Sequence, residues 1–349
     1  MRVSSCIPAP QWIPSILRLI ALLLLCLLAT APIDAQNTGN ALYTKLQTTC
    51  PEILVEGRLQ GSGFVATPEG YVITASHVVW PGDKSVEVLI HQLGRLKAEV
   101  VAVDRGHDLA LLKLPATDAP YNHIPLIETD DFPLVLDELY LFGAPIFRHH
   151  VLISGRVARA KPTFEYLPEG PFYTRVLHIA ADAPRGMSGG PWVDAAGRVV
   201  AVQTGYMSQK GVPLGLSFAA PVDAVRRLVQ TGTSARTSTL MAAFEELWEQ
   251  PKEAIARWPA QSMGVLAVQV QPGGPAAEAG LSSRRLIVSA GGKPIATRQQ
   301  LLQALRQQKP GSVISMTVLS STGRAETLRV PLAFLEKEFA GTSAEMVRP

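Results

Sequence analysis

The chain has 349 residues, 47% of them apolar and 17% charged, with a formal net charge of +3. This is a globular composition with apolar material for about two domains, and it excludes a disordered or collagen-like chain. Lys and Arg are scattered and nearly balanced by Asp and Glu, so nothing argues for nucleic acid or an anionic membrane surface as partner.

Residues 1–35 read as a secretory signal peptide. Arg2 and Arg18 are the only charges before Asp34, and the run LIALLLLCLLATAPI leads to a cleavage position after Ala35. The rival is an uncleaved N-terminal membrane anchor, but its apolar run of about 15 residues is shorter than a span needs. Cleavage removes Cys6 and Cys26 and leaves Cys50 alone, so no intrachain disulfide is expected. Cys50 is read as a partly buried structural thiol rather than a catalytic one, since no histidine pattern surrounds it.

Residues 36–230 form the first expected domain. From residue 52 to 220, short segments such as GFVAT, YVITA, VEVLI, LALLKL, VLISGRV and RVVAVQT alternate apolar and polar residues. TPEG, WPGD and DAAG punctuate them, which predicts barrels or a sandwich. APVDAVRRLVQTG predicts a closing helix, with Pro221 near its start and Gly232 past its end. Residues 231–260 are expected as a polar linker and then a helix over LMAAFEELWEQ, which Pro251 interrupts. Residues 261–335 read as a small unit of strands and one helix, TRQQLLQALRQQ, and 336–349 as a C-terminal tail.

Candidate chemistry begins with PRGMSGGPWVD, residues 184–194. His77 follows a strand upstream, and Asp108 opens the strand LALLKL. The order His77, Asp108, Ser188 is one of the known orders of the acyl-transfer triad. A serine hydroxyl needs a neutral imidazole to take its proton, and the imidazole needs a buried carboxylate to fix its tautomer. Gly186 suits a backbone N–H turned toward an oxyanion. Asp104 and His107 compete nearby; Asp108 is preferred because an apolar strand follows it at once. A metal site on His149 and His150 is poor, because adjacent strand residues face opposite ways; no metal or other cofactor is expected.

GSGFVATPEGYVITASHVV, DLALLKL, GMSGGPWVDAAGRVVAVQTGY and GLSFAAPVDAVRRLV resemble the HtrA/Deg-type serine proteases, trypsin-like domains followed by a PDZ domain. The resemblance implies a mainly β fold, a chymotrypsin-like pair of six-stranded barrels followed by a small α+β PDZ-like domain. It implies roles for His77, Asp108 and Ser188 as base, orienting acid and nucleophile, with the backbone of Gly186, Met187 and Ser188 as oxyanion hole. Met187 stands where relatives often carry Asn or Asp, so activation through a freed amino terminus is not expected. Asp182 occupies the offset of a specificity acid, or else caps a turn; Thr204 and Gly205 flank the same pocket. GVLAVQVQPGGPAAEAGL and VSAGGKPI resemble a PDZ domain, in which a peptide ligand adds as an extra strand. The carboxylate-binding loop is not recognisable, and Arg284–Arg285 replaces the usual Gly-Asp. The implied activity is a periplasmic endopeptidase acting on unfolded or damaged envelope proteins, with polypeptide substrates and a trimeric homo-oligomer. The alternative is a non-proteolytic peptide-binding chaperone or scaffold using the PDZ-like groove.

Overall fold

The computed structural model describes residues 32–80, 84–128, 133–167 and 172–335. Most of the expected leader and the whole expected tail lie outside the described residues. Helix α1 (Pro32–Thr49) begins the described chain. Residues from Leu46 onward form one compact unit, separate from the segment through Lys45.

The first barrel comprises β1 (Glu52–Val55), β2 (Arg58–Val65), β3 (Tyr71–Ala75), β4 (Val86–Ile90), β5 (Gly94–Asp104) and β6 (Leu109–Lys113). It closes in the order β1-β2-β3-β6-β5-β4, with every pair antiparallel. Period-2 patterning drives it: in β4, Val86, Val88 and Ile90 are buried while Glu87 and Leu89 are less so. Ile53, Val72, Val88, Ala110 and Leu112 fill the interior. The single helical turn α2 (Ser76–Val79) follows β3 and carries His77.

The second barrel comprises β7 (Glu138–Gly143), β8 (Val151–Val157), β10 (Phe172–Ala180), β11 (Pro191–Val193), β12 (Val199–Gln209) and β13 (Val212–Pro221). Pairing of β13 with β10 closes the six strands, and β9 (Thr163–Leu167) extends β10 as a hairpin outside the ring. Trp192 fills its core without exposed surface, and its Nε1 donates to Gln203 Oε1 at 2.8 Å, which satisfies the indole donor. Helix α3 (Val222–Thr231) closes the domain, ending at Gly232 in the left-handed conformation. The two expected six-stranded barrels are therefore present.

The C-terminal unit differs from expectation at its start. LMAAFEELWEQ is not a helix. After β14 (Ser238–Thr239), residues Ala242–Glu246 form strand β15, and a 3-10 turn spans Leu247–Glu249. Ala, Leu and Glu favour helix, but pairing with β16 (Val265–Val270) and burial of Leu240, Phe244 and Leu247 override that preference. A bulge at Ala243/Phe244 breaks the strand's alternation, so the period is hidden in the sequence. Only Lys252–Ile255 (α4) is helical between Pro251 and β16. The polar stretch before it is not a free linker either: Ala235 N donates to Val103 O at 2.9 Å and Val103 N to Ser234 Oγ at 3.0 Å.

α5 (Pro275–Glu278), β17 (Leu286–Ala290), β18 (Lys293–Pro294), α6 (Arg298–Arg306), β19 (Val313–Leu319), β20 (Ala325–Pro331) and β21 (Ala333–Phe334) complete the unit. A capping box between Thr297 and Gln300 starts α6. Phe164 and Tyr173 of the β9–β10 hairpin lie in the same apolar core as Phe244, Leu301, Leu302 and Leu305. The peptidase-side hairpin is thus part of the C-terminal unit's interior.

Asp104 fastens the end of β5. It is 1% exposed, and its Oδ2 accepts from His107 Nδ1 at 2.9 Å and Arg227 Nη2 at 3.0 Å. Burial pushes this carboxyl up, but His107 and Arg227 together outweigh it and hold it well below the usual carboxylate range. The stabilisation is therefore complete above the unfolded-state carboxyl value of about 4 and fades as pH falls below it. Asp104→Asn is expected to cost about 3 kcal/mol at pH 7. In denaturant titrations the gap to wild type should narrow below about pH 4; a pH-independent gap would contradict this account of Asp104.

Candidate active site

Asp108 sits at the start of β6 with φ +55° and a carboxylate that is 1% exposed. Its Oδ1 accepts from Ser76 Oγ at 2.7 Å and from His77 N at 3.0 Å; its Oδ2 accepts from His77 Nδ1 at 2.7 Å. A carboxylate accepts only, so Nδ1 carries the proton and Nε2 is left as the basic nitrogen. The imidazole is 29% exposed and is pinned through Nδ1. Ser76 also donates its backbone N–H to Asp108 O at 3.0 Å. Asp104, the competing acid, is engaged with His107 and Arg227 instead.

Ser188 lies between β10 and β11, and its segment is laid across the first barrel. Ser62 N donates to Ser188 O at 2.8 Å. Gly189 has φ +85°, and a Cβ there would collide with Ser62 O and Thr74 Oγ1 and lie 2.8 Å from Ala75 N. Only glycine permits that approach to the end of β3, two residues before His77. Sequence positions far apart are therefore brought to one junction between the barrels.

The N–H groups around Ser188 divide sharply. Met187 N donates to Pro184 O at 3.2 Å, Gly189 N to Gln203 O at 2.7 Å, and Gly190 N to Met187 O at 2.9 Å. Among the described residues, Gly186 N and Ser188 N have no acceptor. Two adjacent unpaired donors are what a developing oxyanion requires. The expectation that Met187 shares the oxyanion hole is corrected: its N–H is spent on Pro184, and its buried side chain joins the second barrel's core. Gly186 has φ +95°, and a Cβ there would lie 2.5 Å from Ala144 O.

Ser62 supports this loop in a way the sequence did not signal. Its buried Oγ donates to Gly186 O at 2.8 Å and accepts from Ala144 N at 3.0 Å. Ser62 belongs to the GSGF stretch, but nothing in that stretch says what its hydroxyl binds; only the folded contact reveals it.

The three pocket candidates are each held by β13. Thr204 is buried and its Oγ1 donates to Phe218 O at 3.0 Å; Gly205 pairs with Phe218 across β12–β13. Asp182 is exposed and its Oδ1 accepts from Gly215 N of β13 at 2.9 Å, a bond across 33 residues rather than a local turn cap. Cys50 is buried, and burial pushes its thiol far above the usual range, so it is not a nucleophile. His149 and His150 lie in the bend before β8 with ring centroids 6.2 Å apart; His149 Nδ1 meets Glu52 Oε1 at 2.6 Å, and the His150 ring stacks against Phe142.

In the C-terminal unit, β15 is the edge of its sheet. The Tyr173 hydroxyl accepts from Phe244 N at 2.8 Å and donates to Phe244 O at 3.0 Å. One side chain thus occupies both backbone groups that an added strand would use at this residue. Burial raises its phenol to about 12, so it remains a donor at working pH. Gln299 of α6 accepts from Thr163 Oγ1 at 2.8 Å and from Phe164 N at 3.1 Å.

Comparison with known proteins follows the same division. Residues 61–202 match the family model of the trypsin-like peptidase domain, and residues 266–320 that of the PDZ domain. A "Probable periplasmic serine endoprotease DegP-like" of Pseudomonas savastanoi pv. phaseolicola is 30% identical over 298 residues, 82% of this chain and 59% of that protein. Its namesake in Rhizobium meliloti is 29% identical, covering 81% and 56%. "Protease Do-like 1, chloroplastic" of Arabidopsis thaliana is 26% identical, covering 84% and 69%. The chain spans little over half the length of the two bacterial relatives. A solved structure of "HtrA-type protease AlgW with decapeptide" superposes with TM-score 0.63 at 20% identity, covering 85% of this chain and 98% of that one. The fold is that of a trypsin-like peptidase domain followed by a PDZ domain. In that build the chain resembles the HtrA/Deg-type serine proteases.

Ser62→Ala should strand Gly186 O and Ala144 N and destabilise the chain by about 1–3 kcal/mol. Equilibrium denaturation checks this; an unchanged midpoint would show that the Ser62 bridge does not hold the loop.

Proposed function

We propose that the chain is a serine endopeptidase that hydrolyses peptide bonds of unfolded or damaged envelope proteins through an acyl-enzyme. The observation that carries the reading is the pair of unpaired N–H donors at Gly186 and Ser188, on a loop laid against the strand that leads to the His77–Asp108 pair. In this reading His77 Nε2 takes the Ser188 Oγ proton as Oγ attacks the scissile carbonyl. The developing oxyanion is held by Gly186 N and Ser188 N, while Asp108 stabilises the imidazolium through Nδ1–H. His77 then gives the proton to the leaving amine, and water releases the acyl group by the same steps in reverse.

Asp182, Thr204 and Gly205 are assigned to the wall of the pocket for the residue before the scissile bond. Asp182 serves there as a brace for Gly215 rather than as a charge partner for Lys or Arg. The relatives' printed names support a periplasmic location. Among the described residues no helix is long and apolar enough to cross a membrane. The partners proposed are polypeptide substrates, a peptide ligand of the PDZ-like unit, and further copies of the chain, a trimer by resemblance. The rival reading is a non-proteolytic scaffold that takes peptides on β15. It is disfavoured by the His77–Asp108 pair and the unused N–H groups of Gly186 and Ser188, which peptide binding alone does not need; in either reading a peptide added on β15 displaces Tyr173 from Phe244.

Ser188→Ala is expected to lower turnover of casein by about 10⁶, as in comparable triads. Asp108→Asn should cost about 10⁴ by releasing the wrong tautomer. Casein cleavage surviving Ser188→Ala would end the assignment, and a wild-type rate in Asp108→Asn would redirect the acid's role to Asp104.

A further inference from the structure

We propose that Arg306, on helix α6 of the C-terminal unit, is a positioning residue for the Asp108 carboxylate. The inference rests on the triad reading and extends it to a residue outside the peptidase barrels. Asp108 ends the turn 104–108 in the left-handed conformation, φ +55°, which Asp enters more readily than most side chains but which still disfavours a Cβ. The bonds inside the turn are long: His107 N to Asp104 O is 3.2 Å and Asp108 N to Arg105 O is 3.4 Å. Its position therefore depends on neighbours.

Those neighbours come from several elements. Arg175 N in β10 donates to Gly106 O at 3.1 Å. Arg227 in α3 reaches Asp104. The Arg105 guanidinium lies 4.4 Å from the centre of the Trp80 ring, and Trp80 directly follows the turn that carries His77. The last neighbour is Arg306. Its guanidinium donates to Tyr173 O and lies so close to Gly106 that a Cβ there would collide with it, and with Thr237 on the same face. Asp104 Oδ1 is buried without a hydrogen-bond partner, and Arg306 interacts with this carboxylate electrostatically. One cation from α6 thus presses on the turn's middle residue, lies within electrostatic reach of the turn's buried acid, and ties the turn to β10. A displacement of the turn by about an ångström would misalign Asp108 against Nδ1–H, a scale of error that costs up to about 100-fold in rate.

A purely structural role for Arg306, joining two units, predicts something different from a positioning role, and the full chain can tell them apart. Hydrolysis of a small activated ester, which engages little beyond the catalytic centre, is measured for Arg306→Gln, Arg306→Lys, Gly106→Ala and Gln299→Ala, with Ser188→Ala in parallel. Arg306→Gln is expected to lower kcat about 10- to 100-fold with KM little changed. The acidic limb of its kcat/KM profile should move to lower pH, because the imidazolium loses support from Asp108. Arg306→Lys should recover most of the rate. Gly106→Ala, which displaces the guanidinium without removing it, should repeat the loss and decides the matter if Arg306→Gln does not fold. Gln299→Ala, which loosens the same junction away from the turn, should behave as wild type. The proposal is overturned if folded Arg306→Gln or Gly106→Ala keeps the wild-type kcat and pH profile, or if Gln299→Ala reproduces the loss. An inert Ser188→Ala beside a wild-type Arg306→Gln removes this inference alone; an active Ser188→Ala removes the triad reading and this inference with it.

Discussion

A carboxylate taken out of water must have its charge answered by hydrogen bonds, and Asp108 is such a carboxylate. Ser76 Oγ, His77 N and His77 Nδ1 answer it, all from the turn that follows β3. The same bonds that permit Asp108 to be buried fix the plane of the His77 ring and the nitrogen that carries its proton. Stability and chemistry are set here by one group of contacts. That group exists because β3 and β6 pair antiparallel, with Ala75 opposite Leu109.

The second barrel meets this arrangement through glycine. Gly189 admits the backbone of β2 and β3 where any side chain would exclude it, and Ser62 ties Gly186 to Ala144 from the other side. The loop that results uses up the N–H groups of Met187, Gly189 and Gly190 and leaves those of Gly186 and Ser188 unused. Two N–H groups left unused on one turn are donors that a developing negative charge can take, and the catalytic reading rests on them. The C-terminal unit is not a loose appendage to these barrels. Phe164 and Tyr173 share its core, and Tyr173 holds both backbone groups of Phe244.

Much of this was legible in the sequence, for definite physical reasons. Half-buried strands such as VEVLI and VLISGRV display their period directly, and His77, Asp108 and Ser188 stand in contexts that a strand-end or turn requires. Strand EILV was not singled out, because all four residues are buried and no alternation survives. LMAAFEELWEQ misled because its helix-forming residues and a bulged register conceal a strand that only β16 stabilises. Met187 N was assigned to the oxyanion hole by position, whereas its bond to Pro184 depends on the loop's closed shape. The parts played by Ser62 and Arg306 were invisible for a common reason: each acts across a long-range contact that its own stretch of sequence does not encode.

The central claim, that Ser188 is the residue activated by the His77–Asp108 pair, is tested most directly by covalent labelling. The folded chain is treated with a fluorophosphonate and digested, and the adduct is mapped by mass spectrometry. The account predicts a single phosphonylated residue, Ser188, with labelling abolished by prior acid unfolding. An adduct at another serine, or none on Ser188 in a chain that hydrolyses casein, would contradict it.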